Sequence, residues 1–285
     1  MYYEVVVTSH RYAGQSALTY YSADQLTIGS IVHVTLRQTS TPASVIAQVT
    51  KPAFRVKPID NILIAQPLPA PSLELLQWLR TYYPSPLGPL TSQFVPKLLS
   101  KHVNQAASLA SQPTGPPLPT LTREQTGVID QIHKRPLQRT WWLHGETGSG
   151  KTRVYQELLQ EQLSRQQSAL LLTPEIGLTP QLAREIQRAA GAHPVILWHS
   201  DLTDKERRQA WLQDLDATGP VVVVGARSAL FLPFQKLGLI VVDEAHDQAY
   251  KQEQAPYYNG LRVAGRLAQL HQSLLLMGSA TPPVS

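Results

Sequence analysis

Eight consecutive residues in this 285-residue chain, Gly145-Glu146-Thr147-Gly148-Ser149-Gly150-Lys151-Thr152, follow the spacing G-x-x-x-x-G-K-[ST]. Glycines at these points let backbone N–H groups close around phosphate oxygens without Cβ clashes. A helix starting at Lys151 aims its positive end at the same place. In such a turn Lys151 reaches the β- and γ-phosphates of a nucleotide, and the Thr152 hydroxyl is a Mg²⁺ ligand. The other half of the site is an acid at the end of a neighbouring apolar strand, and LGLIVVDEAH supplies Asp243 and Glu244 there. Asp243 suits holding the metal through its water shell, and Glu244 suits orienting or deprotonating the attacking water. His246 either links this site to a second binding surface or caps the turn. Upstream, Gln125 either reads an adenine edge with its amide or closes a capping box with Thr122. On the first reading the nucleotide is ATP.

Such residues need a scaffold that gathers strand ends and helix starts. After residue 120, strands are expected at 141–144, 169–172, 195–198, 221–224, 239–242 and 274–277, with helices near 151–165, 179–190, 203–214 and 260–271. The strand runs are apolar on both faces, which predicts a parallel sheet covered on both sides by helices. Thr203 and Glu206 have capping-box spacing at one helix start. This half is α/β. The half before it differs. Runs rich in β-branched residues at 2–8, 31–37 and 44–50 predict a small barrel or bent sheet. Residues 72–83 read as a helix with Ser72 as its N-cap and Leu73, Leu76 and Leu79 on one side, ended by Pro84, Pro86 and Pro89. Between the halves, SLASQPTGPPLPT (108–120) reads as an uncharged, extended linker. The expected organisation is 1–105, a linker at 106–120, and 121–285.

Charge is unevenly divided. Residues 1–120 carry eight Lys/Arg against four Asp/Glu, while the net charge of the whole chain is +5. A basic first half suits an anionic partner or is an ordinary solvated surface. The chain has no cysteine, which excludes disulfides, thiol catalysis and cysteine-ligated zinc within it. No apolar run approaches the roughly 18 residues needed to cross a bilayer. No secretory signal opens the sequence. The expected location is cytoplasmic.

The order of motifs carries a resemblance. LTREQ, HGETGSGKT, LLLTPEIGLTPQ, WHSDLTDKERRQAW, VVVVGARSALFLPF, LIVVDEAHDQAYKQE and MGSATP follow in succession. Together they resemble the first RecA-like lobe of a superfamily 2 helicase, and most specifically the PriA family of bacterial replication restart. PEIGLTPQ, the HSDLTDKER run, GARSALFLPF and YKQ narrow the match; residues 1–105 resemble the family's N-terminal DNA-binding domain more weakly. The resemblance implies a P-loop parallel-sheet lobe preceded by a small, mainly-β domain that holds the 3′ end of a nascent strand. It implies ATP-dependent 3′-to-5′ DNA unwinding with Mg²⁺. The implied partners are forked and single-stranded DNA, primosome proteins, single-stranded DNA-binding protein and the replicative helicase loader.

The resemblance also assigns residues. Pro174, Glu175, Gly177 and Thr179 fall in a motif that follows the translocating strand, and Arg227 and Ser228 in another. His246, Ser279, Ala280 and Thr281 fall where hydrolysis is coupled to movement. Tyr250, Lys251, Tyr257 and Tyr258 match an aromatic-rich, DNA-sensing loop. From the residues alone, Tyr257 and Tyr258 either stack on bases or pack beneath the loop, and Glu175 either follows the strand or is a helix-start charge. In the first domain Thr19, Tyr20 and Arg37 are the implied DNA contacts, with Thr19 standing where the family carries an acid. The family's zinc insertion and second lobe have no counterpart before Ser285, so the chain is expected to be an N-terminal portion. The alternatives are a different superfamily 2 translocase or a non-catalytic fork-binding scaffold.

Overall fold

A computed structural model describes residues 1–9, 12–97, 117–146, 148–174, 177 and 179–281. The expected linker lies outside the described residues except for 117–120. The first half builds a five-stranded closed barrel. Its strands are β1 (Tyr2–Val7), β2 (Leu18–Tyr21), β3 (Ile31–Leu36), β4 (Thr39–Val49) and β5 (Lys57–Ile64), in the order β1-β2-β5-β3-β4. Alternation puts Tyr3, Val5, Val7, Val32, Val34, Ala43 and Val45 inside. Strands β2 and β5 escaped the sequence reading because neither alternates cleanly: β2 has four residues, and β5 is mostly exposed.

Two helices follow, α1 (Ala70–Tyr82) and α2 (Leu87–Phe94). Ser72 is not the N-cap of α1. Pro69 takes that place, Pro71 occupies the first turn, and Ser72 is buried inside the helix. A first-turn proline costs nothing there, because its missing N–H has no intrahelical acceptor. The same logic explains α2, which the sequence reading missed: Pro86 is its N-cap and Pro89 lies in its first turn. The prolines that end one helix begin the next.

The second half contains α3 (Arg123–Lys134), β6 (Thr140–His144), α4 (Lys151–Ser164), β7 (Ser168–Leu172), α5 (Thr179–Ala190), β8 (Val195–Trp198), α6 (Asp204–Leu215), β9 (Val222–Gly225) and β10 (Leu237–Val242). A two-stranded ribbon of β11 (Lys251–Gln252) and β12 (Tyr258–Asn259), then α7 (Gly260–His271) and β13 (Leu274–Ser279), complete it. The six-stranded sheet runs β6-β13-β10-β7-β9-β8 with every pair parallel, as the doubly apolar runs predict. Thr203 and Glu206 form the predicted capping box of α6.

Alternation along the strands divides the core in two. Ala169, Leu171, Leu239 and Val241 face α3, α4 and α5, while Leu170, Leu172, Ile240 and Val242 face α6 and α7. The second layer extends into the first half of the chain. Leu75, Leu79, Leu90 and Phe94 share it with Trp211, Leu230, Phe231 and Val263. Polar contacts fix this junction: Trp211 Nε1 donates to Phe94 O at 2.8 Å, Gln66 Nε2 to Leu215 O at 2.6 Å, and Asn259 N to the Tyr83 hydroxyl at 3.1 Å. The barrel's helices and the sheet are thus joined by buried apolar surface. No described helix is long and apolar enough to cross a membrane.

Candidate nucleotide site and nucleic-acid surface

β6 ends at His144, and the chain turns through Gly145–Gly150 into α4. Gly148 and Gly150 sit at φ 83° and 82°, left-handed positions that a side chain rarely adopts. A Cβ on Gly150 would also lie 2.6 Å from Gln125 Nε2. Gly145 N donates to Ser279 O at 3.1 Å, tying the turn to the end of β13, and Ser149 N donates to Glu146 O at 3.1 Å. Thr147 lies outside the described residues.

The Lys151 ammonium donates to Gly145 O at 2.8 Å and Glu146 O at 3.3 Å, and stands 3.5 Å from Glu244 Oε1. Its side chain is only 9% exposed, so it is committed to this pocket. Gln125 is committed too. Its Oε1 accepts from Thr122 N at 2.9 Å, its backbone N–H donates to Thr122 Oγ1 at 3.2 Å, and Nε2 donates to Gly150 O at 3.1 Å. The capping box is formed, and the two ends of the amide tie α3 to the glycine turn.

Asp243 and Glu244 follow β10, and with Gly148, Gly150, Lys151 and Thr152 they line a cavity of about 490 Å³. Burial raises the Asp243 pKa above the usual carboxylate range, against the opposing hydrogen bond from Tyr155. The Tyr155 hydroxyl donates to Asp243 Oδ1 at 2.9 Å. Sequence reasoning passed over Tyr155; its signal is its place one helical turn after Lys151. Glu244 has φ 44°, a left-handed conformation that costs a non-glycine residue roughly 1–3 kcal/mol. It is held by Ala245 N donating to Gly278 O at 2.8 Å and Asp247 N to Glu244 O at 2.9 Å. The turn sets the Glu244 carboxylate between Lys151 and His246, with Oε2 3.5 Å from His246 Nδ1. His246 Nδ1 lies 2.9 Å from Ser279 Oγ, which accepts from Thr281 N at 3.1 Å. His144 Nε2 is 3.2 Å from Ala280 O. His246 thus stands between the Glu244 carboxylate of the cleft and Ser279 at the end of β13. The Thr152 hydroxyl and two carboxylates on one wall are hard oxygen donors, so the residues present fit Mg²⁺.

Pro174 and Gly177 lie between β7 and α5, and Thr179 opens α5; Glu175 lies outside the described residues. Arg227 and Ser228 follow β9 but are already engaged. Arg227 donates to Lys251 O at 3.1 Å, to Ala249 O and to Gln252 Oε1, and so holds the loop after the acidic pair. Ser228 Oγ accepts from Trp198 Nε1 at 3.2 Å.

The aromatic loop divides. Tyr250 is buried, its hydroxyl donating to Asp243 O at 2.6 Å with Leu172 O 3.2 Å away. Tyr258 is 4% exposed and packs edge-on against Phe231 at 5.1 Å, which is the packing alternative. Burial pushes its pKa up to about 12. Tyr257, 56% exposed, and Lys251 remain at the surface.

In the barrel Tyr20 is buried, and its hydroxyl donates to Thr35 O at 3.2 Å, so it is wall rather than stacking platform. Arg37 sits in the β3–β4 turn at φ 57°, and its carbonyl accepts from Lys57 Nζ at 3.2 Å. Thr19 pairs directly with Glu4 across the antiparallel strands, which puts both side chains on one face. An acid thus stands beside Thr19, contributed by β1.

A profile of the DEAD/DEAH box helicase family matches residues 122–285, more than half of the chain. The chain belongs to the DEAD/DEAH box helicase family. The helicase lobe is preceded by a match to the 3′DNA-binding domain (3′BD) over residues 4–96. The chain is similar to the replication restart protein PriA of Helicobacter pylori strain J99, at 34% identity over 268 residues, covering 94% of the chain and 41% of that protein. The PriA of a Synechocystis species is 48% identical over 141 residues, 49% of the chain and 17% of the relative. The chain therefore spans about two fifths of the Helicobacter protein's length. Among solved structures, a DEAD box protein from Methanococcus jannaschii aligns with a TM-score of 0.40 at 19% identity, over 52% of this chain and 41% of that one. The resemblance drawn from the motifs and the profile matches agree.

Proposed function

We propose that the chain forms the DNA-end-binding and nucleotide-binding part of an ATP-dependent, 3′-to-5′ DNA helicase that acts at abandoned replication forks. It is organised as a binding domain at 1–105, a linker at 106–120 and a nucleotide-binding lobe at 121–285. The observation that carries this reading is the convergence of Lys151, Asp243 and Glu244 in one cleft, with His246 bonded to Ser279 at its rim. ATP with Mg²⁺ supplies the phosphoanhydride whose hydrolysis drives movement. Lys151 leaves the Gly145 carbonyl to meet phosphate oxygens, and the N–H groups of the glycine turn close around them. Thr152 and Asp243 hold the metal. Glu244, freed from Lys151, orients the attacking water and takes its proton. His246 and Ser279 carry the state of that acid toward the strand-facing edge. Tyr257 and Lys251 meet single-stranded DNA there, and the basic barrel meets the fork. Primosome proteins, single-stranded DNA-binding protein and the helicase loader are partners on this reading, and the cytoplasm is its place of action.

The test is fluorescence anisotropy on oligonucleotides with equal base-pair content. A fork with a 3′-hydroxyl end at the branch should bind more tightly than a blunt duplex, with log affinity falling linearly in log salt. Equal affinity for both substrates would sink the fork-recognition reading.

A further inference from the structure

Tyr155 lies on α4 one turn beyond Lys151, fully buried, with its hydroxyl 2.9 Å from Asp243 Oδ1. Three elements converge to make that contact. The glycine turn launches α4, β10 delivers Asp243, and β13 passes alongside with Gly278 at the point of closest approach. A Cβ at 278 would sit 1.9 Å from the phenol oxygen and 3.4 Å from Asp243 Oδ1. The space that admits the Tyr155 hydroxyl exists because residue 278 is glycine. A half-buried carboxylate held by a fixed donor is restrained in its rotamer, and metal affinity depends on that rotamer being in place before the ion arrives.

We propose that Tyr155 is a positioning residue for metal-nucleotide binding: it holds one oxygen of Asp243 so that the carboxylate stays turned toward the cleft it shares with Thr152. The proposal rests on the nucleotide reading of this cleft. Tyr155 is not among the residues that line the cavity. It acts through Asp243 alone, which distinguishes it from Lys151 on the same helix.

The experiment uses the 285-residue chain and a fluorescent ATP analogue, titrated in Mg²⁺ and again in EDTA. The wild type should bind more tightly with Mg²⁺. Tyr155→Phe removes only the hydroxyl, and should lower that Mg²⁺-dependent gain by at least about tenfold while leaving affinity in EDTA unchanged. Asp243→Asn should lose the same gain, and Tyr155→Phe combined with Asp243→Asn should lose no more, because both substitutions break one linkage. A full Mg²⁺ gain in Tyr155→Phe overturns the proposal, as do penalties that add. Equal losses in Mg²⁺ and EDTA also overturn it, since they mark a general support of α4. Failure of the wild type to bind nucleotide in either buffer is a different result, and removes the nucleotide reading itself.

Discussion

Asp214 lies on the inner face of α6 between Trp211 and Leu215, 1% exposed, and its Oδ2 has no hydrogen-bond partner among the described residues. Burial raises its pKa from 3.8 to about 8. Because the folded value is the higher one, the folded chain keeps a proton that the unfolded chain has already released. Stability from this group is complete below the unfolded pKa and falls as pH rises toward the folded one. The slope approaches about 1.4 kcal/mol per pH unit where the two states differ by a whole proton. Between pH 5 and 8, relaxation of the surroundings reduces the loss to roughly 2–4 kcal/mol. Asp214→Asn replaces the acid with a neutral isostere and removes the titration. Urea unfolding at pH 5, 6, 7 and 8 should therefore show the variant gaining on the wild type at each step and levelling off above pH 8. His271, whose pKa is lowered to about 4 by burial, loses stability below pH 6.5 in both proteins and cancels in the comparison. A difference between variant and wild type that stays constant from pH 5 to 8 would refute the reasoning.

Two further outcomes test the nucleic-acid surface. Tyr257→Ala should weaken single-stranded DNA binding by about 1–3 kcal/mol at unchanged melting temperature. Tyr258→Ala should instead lower the melting temperature, because it empties a core position; anisotropy and thermal melts separate the two, and a reversal of their effects would mean the loop is wrongly divided. Glu4→Gln should reduce the preference for a 3′-hydroxyl over a 3′-phosphate end, since a carboxylate accepts from one and repels the other. An unchanged ratio in competition binding places the end pocket away from the Glu4–Thr19 pair.

The nucleotide cleft was legible because its residues are adjacent in sequence. A glycine turn between strand and helix, and an acidic pair at a strand end, are local signals. The parallel sheet was legible because strands buried on both faces leave unbroken apolar runs. Contacts between distant segments were not. Nothing near Tyr155 in the sequence says that Gly278 leaves space for its hydroxyl. Trp211 gives no sign that Phe94 O will accept its N–H. Gln125 was ambiguous for the opposite reason, since one amide at a helix start fits two roles, and its reach to Gly150 O shows only in the fold. Pro84, Pro86 and Pro89 read as the end of one helix, although Pro86 and Pro89 stand at the start of the next. Strands β2 and β5 owe their existence to barrel closure, which no local pattern announces.

The central claim is that the turn from Gly145 to Thr152, closed by Asp243 and Glu244, binds a metal nucleotide. Calorimetric titration of MgATP into the wild type and Lys151→Ala tests it directly. The account predicts one site per chain in the wild type and no binding in the variant, with forked-DNA affinity preserved in both. Equal MgATP affinity in the two proteins would contradict it.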